Sequence, residues 1–368
     1  MCRDASVGLM NVNDLQTPAL LLDAEVLEHN VSLMASRLPG NRLRPHVKAH
    51  KCTALARYQR DTGGHGNFTT ATIKETEGMA RAGLGNDLLL ANEVLDATRI
   101  RALLDDGHRV TLAVDSDETL DAAVSAGVRE VVIDINVGLP RCGCSLEDSG
   151  RLAELARARG CLVRGVMGYE GHLMMVLSAD EQRAKVESAM SILTAAHDRV
   201  GGELISAGGT GTHLVNVWAN EIQAGSYALM DSAYAARDDG FRQALTILGS
   251  VIHTNRAKGF AVSDGGLKAN GMDHGNPALP DYRVWFLSDE HVTFGLIDNP
   301  QPNDTQPNDP HSDRPYTDIS KPIALPKVGD RIRIVPAHCD PTVAYHAAIW
   351  LVRGDEVLDR WSVDLRGW

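Results

Sequence analysis

The stretch VTLAVDSDETLDAAVSAGVREVVIDI, residues 110–135, decides the fold. Its two ends are short apolar runs typical of strands, at 110–114 and 130–135, and a helical pattern between them begins near Ser116. A strand, a helix and a second strand in this order predict a βαβ unit with parallel strands.

The same alternation continues on both sides of this stretch. Further strand-like runs start near residues 19, 44, 87, 162 and 204, and helical patterns lie between most of them. Seven or eight such units favour a (β/α)8 barrel over an open dinucleotide-binding sheet. We therefore predict an α/β protein in which residues 18–250 form a (β/α)8 TIM-type barrel.

A second, all-β domain is predicted for residues 251–368, because short strand-like runs continue there without long helical patterns. Residues 1–17 are expected to join this domain. Within it, residues 299–322 carry Gln-Pro-Asn-Asp twice among further Pro, Asn and Asp residues. This composition predicts a polar loop, to which we assign no function.

Composition and charge exclude several classes of protein. The chain has 368 residues, of which 48 are acidic and 36 basic, so its formal net charge is −12. Nucleic-acid-binding proteins usually carry a basic surface, so a nucleic-acid partner is not expected. Apolar runs stay below the roughly 18 residues of a membrane span, and residues 1–18 lack a secretory signal pattern. Six scattered cysteines predict free thiols and a cytoplasmic protein.

The segment LRPHVKAHK, residues 43–51, is the most informative for chemistry. On a strand, Arg44, His46, Lys48 and His50 would share one face and line the barrel interior, which is normally aliphatic. Such basic groups need an anion beside them, and neighbouring cations make a lysine amine more nucleophilic. A solvated basic edge strand is the alternative.

Two glycine-rich turns follow late strands of the predicted barrel, SAGGTGT at 206–212 and QAGSY at 223–227. Barrel enzymes often bind phosphate with the loops after their last two strands. Neither turn has the spacing of a P-loop or of a dinucleotide fold, and a glycine-rich turn alone is more often only a turn. Together with the basic lysine segment, they suggest a phosphorylated aldehyde cofactor.

The run RPHVKAHK, residues 44–51, resembles the cofactor-lysine motif of D-threonine aldolases and the related D-serine dehydratases. These are alanine-racemase-like, fold type III pyridoxal phosphate enzymes with a barrel and a C-terminal β domain. The resemblance covers nearly the whole chain, and residues 299–322 look like an addition to the family pattern. Further matches follow in the family's order at residues 71–75, 87–93, 138–143, 167–172, 221–227, 263–268, 288–291 and 336–342.

This resemblance implies roles for particular residues. Lys48 would carry pyridoxal 5'-phosphate, Arg141 would lie beside its phenolic oxygen, and His172 would be the base near the substrate hydroxyl. The resemblance also implies a homodimer. Each role has an alternative. Arg141 could form a surface ion pair, and the tyrosines or His172 could be hydrogen-bonded core residues. The residues that would surround the cofactor and hold its phosphate are Tyr169, Thr210, Gly211, Gln223, Gly225, Ser226 and Tyr227.

A metal site is predicted at the end of an apolar strand, in VPAHCDP at 335–341. The i, i+2 spacing would place His338 and Asp340 on one face of the strand and Cys339 on the other. An imidazole and a carboxylate suit Mn²⁺ or Mg²⁺, whereas a thiolate at position 340 would suit zinc. The resemblance associates a His-x-Cys motif at this position with the dehydratases and a His-x-Asp motif with the aldolases. This chain has His-x-Asp, which favours an aldolase. A hydrogen-bonded pair without metal is the alternative.

Three functions are therefore weighed. The first is a metal-dependent aldolase that cleaves D-β-hydroxy-α-amino acids to glycine and an aldehyde. The second is a dehydratase or aldolase acting on D-serine or 3-hydroxy-D-aspartate. The third is a non-catalytic pyridoxal phosphate carrier, but such carriers resemble the barrel alone. The sequence leaves open the β-substituent of the substrate and the native metal.

Overall fold

Parallel strands alternate with helices through residues 68–222, as the sequence predicts. The structure is a computed structural model that describes residues 10–297 and 324–368. The predicted polar loop at 299–322 lies outside these residues. So do residues 1–9 of the N-terminal segment.

The elements are numbered here in chain order. The strands are β1 (Ala19–Asp23), β2 (Phe68–Thr70), β3 (Leu88–Leu90), β4 (Val110–Val114), β5 (Glu130–Asp134), β6 (Leu162–Gly168), β7 (Leu204–Ala207), β8 (Glu221–Ile222), β9 (Leu245–Asn255), β10 (Phe260–Ser263), β11 (Tyr282–Leu287), β12 (Val292–Leu296), β13 (Arg331–Ile334), β14 (Ala348–Arg353) and β15 (Glu356–Ser362). The helices are α1 (Ala24–Arg37), α2 (Thr53–Gly63), α3 (Ile73–Arg81), α4 (Ile100–Asp105), α5 (Asp117–Ser125), α6 (Leu146–Ala158), α7 (Ala179–Val200) and α8 (Cys339–Tyr345).

The βαβ unit predicted over residues 110–135 is confirmed. Strands β4 and β5 pair in parallel, and α5 lies between them in the chain. The helix begins after Ser116, whose side chain accepts a hydrogen bond from the Thr119 backbone in a capping box. Leu120 and Ala123 are its buried apolar residues. Local sequence signals therefore fix both the start and the inner face of this helix.

Strands β2 to β8 form one parallel sheet in chain order. Residues 43–46 complete it, because Leu43 bridges Ile222 of β8 and His46 bridges Thr69 of β2, both in parallel. This extended segment takes the place of an eighth strand, which confirms the barrel fold. The N-terminal ends of the strands lie at one mouth of the barrel, and their C-terminal ends lie at the other.

The strand predicted through residues 44–49 ends earlier than expected. After His46 the backbone turns into a short 3-10 helix, Val47–Ala49, and the His46 side chain accepts a hydrogen bond from the Lys48 backbone. The predicted alternation of four basic side chains on one strand face is therefore wrong beyond His46. The reason is local, since a side chain that bonds the backbone two residues on competes with strand pairing.

Arg44 is buried in the barrel interior, with 1% of its surface exposed. Its guanidinium contacts both carboxylate oxygens of Asp87 at 3.2 Å and pairs with Glu221 at 2.8 Å. Arg164 of β6 reaches the same Asp87 at 3.0 Å. Burial alone would raise the pKa of Asp87, but the two guanidinium groups hold it below its ordinary value. Protein carboxylates thus provide the anions that the sequence requires beside Arg44.

The described residues form two compact units. The barrel unit comprises residues 31–227 and 364–368, and the second unit, which contains a second sheet, comprises the described residues within 1–30 and 228–363. The strand order of this second sheet is β11-β12-β10-β9-β1-β14-β15, and β13 pairs with β9. Strand β1 pairs in parallel with β14 and antiparallel with β9, although it falls inside the predicted barrel segment 18–250. A short apolar run such as Ala19–Asp23 does not show which sheet buries it.

The domain limits 18–250 and 251–368 stay a prediction. Within the described part of the second unit, α8 adds a short helix to the strands that the sequence predicts there. Across residues 10–297 and 324–368, no helix is both long enough and apolar enough to cross a bilayer.

We expect Arg44→Ala to lower the free energy of unfolding by about 3–5 kcal/mol, because it leaves buried Asp87 and Glu221 short of a cation. Urea unfolding followed by circular dichroism measures the change. Arg151→Ala is the matched control. Its guanidinium is 52% exposed between Asp117 and Asp148, and its loss should cost less than about 1 kcal/mol. Equal losses in the two variants would contradict a structural role for the buried pair.

Candidate active site

Lys48 lies where the extended segment 43–46 ends, at the C-terminal mouth of the barrel. It is partly buried in the 3-10 turn Val47–Ala49, which a hydrogen bond from the His50 backbone to the Val47 carbonyl closes at 3.1 Å. Its Nζ is 5.7 Å from the ring centroid of Tyr169. Tyr169 directly follows β6, so the extended segment 43–46 and β6 bring the lysine and the ring together.

Arg141 approaches the same aromatic ring. Its guanidinium carbon is 5.5 Å from the Tyr169 centroid, and the residue lies in the loop after β5. Both cations are within the roughly 6 Å at which a ring attracts positive charge. The structure thus brings together Lys48, Arg141 and Tyr169, three residues that the sequence assigns to one cofactor.

His46 contributes to the electrostatics of the lysine turn. Burial and the neighbouring Lys48, Lys51 and His50 lower its pKa well below the ordinary value. His46 is therefore neutral at pH 7, and its Nδ1 accepts from the Lys48 backbone at 3.4 Å. Lys51 forms an ion pair with buried Glu75. Around Lys48 the turn therefore holds a neutral imidazole and a lysine that is paired with a carboxylate.

The side chain of Glu170 stabilises the glycine-rich turn after β7 through hydrogen bonds. This buried carboxylate accepts hydrogen bonds from the Gly208 backbone at 3.0 Å and from the Thr212 hydroxyl at 2.9 Å. A third bond comes from the Asn216 amide at 2.8 Å. The hydroxyl of Thr210 accepts from the Tyr227 backbone at 3.0 Å, which joins the two predicted phosphate turns.

Close backbone approach explains two of the glycines in these turns. A Cβ atom on Gly225 would lie 2.6 Å from the His46 carbonyl oxygen, and one on Gly211 would collide with the Met174 carbonyl. Only glycine fits such positions without a backbone shift. Gly225 therefore packs its turn directly against the segment that ends in Lys48. The predicted phosphate turns and the predicted cofactor lysine form one connected region.

Gln223 and Tyr227 have partners of their own. The Gln223 amide donates to the Ser206 hydroxyl at 2.9 Å. The Tyr227 hydroxyl is fully buried and accepts from the Gln59 amide at 2.9 Å, and burial raises its pKa. Gln59 also contacts His50 at 3.2 Å. These bonds anchor the second turn to α2 and to the lysine segment. Ser226, which lies between Gln223 and Tyr227 in the chain, is partly exposed.

His172 lies in a short 3-10 turn, Gly171–Leu173, that follows Tyr169. Its ring is exposed and packs against Gly138, where a Cβ atom would be 3.4 Å from the ring. Gly138 belongs to the loop that carries Arg141. The structure thus places the predicted base near the loop of Arg141 rather than in the core, which disfavours a buried structural histidine.

The sequence motifs did not predict a group of acidic residues beside Arg141. Glu93, Asp115 and Cys142 bring their ligand-type atoms within 4.8 Å of one another, and Asp134 lies at the end of β5. Burial, Glu93 and Asp115 raise the pKa of Asp134 well above its ordinary value, although Arg141 opposes the shift. Burial and Glu93 raise the pKa of Cys142 to about 11. Acidic residues at or just after the C-terminal ends of three consecutive parallel strands are the signal that could have found this group.

His338 and Asp340 belong to the second unit, which is described by itself. The predicted strand geometry is wrong here, because only His338 is still extended and α8 begins at Cys339. His338 occupies the N-cap position without a side-chain capping bond, and Asp340 is in the first turn of the helix. Cys339 is fully buried, and its sulfur lies 3.3 Å from Asp340 Oδ1. Buried Asp231 accepts from the Cys339 backbone at 2.9 Å, and burial raises its pKa to about 6.

The pair nevertheless fits a divalent ion. His338 Nε2 and Asp340 Oδ1 are 3.9 Å apart, and both side chains are less than one-fifth exposed. Two ligand atoms bonded to one ion at about 2.1 Å can be at most about 4.2 Å apart. One nitrogen and one oxygen donor suit a hard or borderline metal.

Two neighbours of His338 were not predicted. Asp273 Oδ2 lies 2.7 Å from His338 Nδ1, and the His274 ring stacks on the His338 ring at 3.9 Å with an interplanar angle of 7°. No spacing rule links residues 273 and 338, since they are 65 positions apart.

Comparison with known proteins agrees with this architecture. The family model of the alanine racemase N-terminal domain matches residues 22–233, and a model of a serine dehydratase domain matches residues 244–352. The curated 3-hydroxy-D-aspartate aldolase of Paracoccus denitrificans (strain Pd 1222) is 30% identical, and the alignment covers 97% of this chain and 94% of that protein. The D-threonine aldolase of Arthrobacter sp is also 30% identical, with 96% and 93% covered.

A solved structure gives the same result. The crystal structure of D-threonine aldolase from Filomicrobium marinum superposes with a TM-score of 0.81 at 31% identity, and covers 98% of this chain and 97% of its own. The resemblance inferred from residues 44–51 and the later motifs is thereby confirmed over nearly the full length. The chain therefore belongs to the alanine-racemase-like family, among its D-threonine aldolase- and D-serine dehydratase-like lyases.

Proposed function

We propose that this chain is an aldolase that uses pyridoxal 5'-phosphate and a divalent metal to cleave D-β-hydroxy-α-amino acids to glycine and an aldehyde. The observation that carries the choice of reaction is the donor set at 338–340. An imidazole and a carboxylate approach each other at 3.9 Å, and the only thiol between them is that of Cys339, which is fully buried. The resemblance associates His-x-Asp with aldolases and His-x-Cys with dehydratases.

The barrel mouth fits a phosphorylated aldehyde. Gly225 allows its turn to pack against the His46 carbonyl, close to Lys48, and the Thr210 hydroxyl joins this turn to the one that carries Gly211. We assign the phosphate to Thr210, Gly211, Gly225 and Ser226, and the aldehyde carbon to the Lys48 amine. Pyridoxal phosphate, when bound, supplies an electron sink for charge that develops at the substrate Cα.

Other residues of the mouth orient this cofactor. Arg141 is assigned to the phenolic oxygen, because its guanidinium and the Lys48 amine approach the same Tyr169 ring. Gln223 and Tyr227 support the phosphate turns through Ser206 and Gln59. Asp134 and Glu93 lie on the Arg141 side, where Arg141 opposes the rise in the pKa of Asp134 that burial and Glu93 cause.

His338 and Asp340 are assigned to Mn²⁺ or Mg²⁺. Such an ion, when bound, makes a hydroxyl more acidic and fixes its position. His172 is assigned as the base, and its exposed imidazole accepts the proton of the substrate β-hydroxyl. D-threonine-like and 3-hydroxy-D-aspartate-like substrates both satisfy these roles, and the β-substituent distinguishes them.

The proposal includes a homodimer and a cytoplasmic location. The family resemblance supports the homodimer. None of the five cysteines in the described part of the chain is in a disulfide, as expected in a reducing compartment. They are Cys52, Cys142, Cys144, Cys161 and Cys339.

A product assay tests the reaction itself. Purified enzyme with Mn²⁺ is incubated with D-threonine, D-phenylserine, D-serine and 3-hydroxy-D-aspartate, and amino acids, aldehydes, keto acids and ammonia are quantified. We expect glycine and an aldehyde from at least one substrate. A keto acid and ammonia as the main products would replace the aldolase with a dehydratase. No turnover of any of the four would leave only a carrier of the cofactor.

Lys48→Ala is expected to abolish the visible absorbance of the enzyme-bound cofactor and to lower kcat on the order of 10³-fold or more, because the covalent attachment is lost. Absorbance spectra of the purified variants provide the measurement. Lys185→Ala, on the exposed face of α7 beside Glu181, is the control and should keep the wild-type spectrum. An unchanged spectrum in Lys48→Ala would refute the cofactor assignment.

Removal of the metal is expected to lower kcat at least about tenfold, and addition of Mn²⁺ should restore it. The enzyme is treated with EDTA, desalted and assayed before and after Mn²⁺ is added. His338→Ala should not be rescued, whereas His291→Ala, an exposed histidine between β11 and β12, should behave as wild type. Full activity after complete chelation would remove the metal from the proposal.

A further inference from the structure

We propose that Asp273 is a positioning residue that orients His338 toward the metal, so that the imidazole binds the ion through Nε2. This inference rests on the metal site of the proposed function and adds to it a residue that neither the motif nor its spacing indicates. The juxtaposition is direct, since Asp273 Oδ2 lies 2.7 Å from His338 Nδ1.

The two ring nitrogens of His338 face different carboxylates. Nδ1 is within hydrogen-bond distance of Asp273, and Nε2 is 3.9 Å from Asp340 Oδ1. A separation of 2.7 Å is typical of a hydrogen bond between an N–H group and a carboxylate. When Nδ1 donates its proton to Asp273, the lone pair of the neutral ring is on Nε2. The bond thus selects the tautomer whose free electron pair faces Asp340.

His274 restrains the same ring from its face. The two imidazole planes are nearly parallel, with an interplanar angle of 7° and centroids 3.9 Å apart. A metal ion lies in the plane of an imidazole that binds it, so two parallel rings at this distance cannot both direct a lone pair at one ion. His274 is therefore a packing neighbour of His338 and not a second ligand.

Burial separates the roles of the two carboxylates. The Asp273 side chain is 56% exposed, whereas Asp340 is 17% exposed and is fixed in the first turn of α8. The more enclosed carboxylate lies beside Nε2, where the ion is assigned. The exposed one lies behind the ring, in the position from which carboxylates orient metal-bound histidines.

The test is Mn²⁺ affinity of the cofactor-loaded enzyme, measured from the electron paramagnetic resonance signal of free Mn²⁺ during titration. Loss of such an outer carboxylate typically weakens metal binding about 10- to 100-fold. We expect Asp273→Ala to raise the Kd for Mn²⁺ by this factor. Asp273→Asn should have a smaller effect, because its amide oxygen can still accept from Nδ1. Both variants should keep the visible cofactor absorbance and the wild-type Tm.

Three reference proteins make the result decisive. His338→Ala should bind no Mn²⁺ at the metal site, and Asp289→Asn, an exposed carboxylate near Lys268, should bind as wild type. Wild-type affinity in Asp273→Ala would overturn the inference, and so would a loss as complete as that in His338→Ala, which would make Asp273 a ligand. A wild-type enzyme that binds no Mn²⁺ would instead refute the proposed metal centre, and the inference with it.

Discussion

The buried ion pair between Arg44 and Asp87 is the constraint on which the barrel depends. A guanidinium with 1% exposure is tolerable in a protein interior only when carboxylates neutralise it and accept its hydrogen bonds. Asp87 precedes β3, Glu221 begins β8, and Arg164 on β6 shares Asp87. These charges join the segment 43–46 to distant strands at the N-terminal mouth, where barrels concentrate stability rather than chemistry.

The chemistry at the opposite mouth follows from the same segment. Because residues 43–46 are held between β8 and β2, the turn that follows them carries Lys48 to a defined place beside Tyr169. Gly225 packs on this turn. Tyr227, two residues later, donates its backbone N–H to the Thr210 hydroxyl and so connects to the glycine-rich loop. Glu170 fixes that loop from within. One short segment thereby sets both the closure of the barrel and the geometry proposed for the cofactor.

Charge is distributed locally, in contrast to the net charge of −12. Burial and the cations of the lysine turn lower the pKa of His46, while burial and the neighbouring carboxyl groups of Glu93 and Asp115 raise the pKa of Asp134. In the second unit, Asp273 and Asp340 face the two nitrogens of one imidazole. Each proposed functional group is thus set by its immediate neighbours, and the overall acidity of the chain predicts none of these environments.

The sequence by itself determined the alternation of strands and helices, the lysine motif, the glycine turns and the His-Cys-Asp run, because each is a local pattern of period, spacing or residue type. Only the tertiary structure decided that β1 lies in the mixed sheet and that Asp87 and Glu221 neutralise Arg44. It also brought Asp273 to His338 across 65 residues. The physical reason is that partners distant in sequence meet through topology, and no local pattern encodes which buried charge meets which.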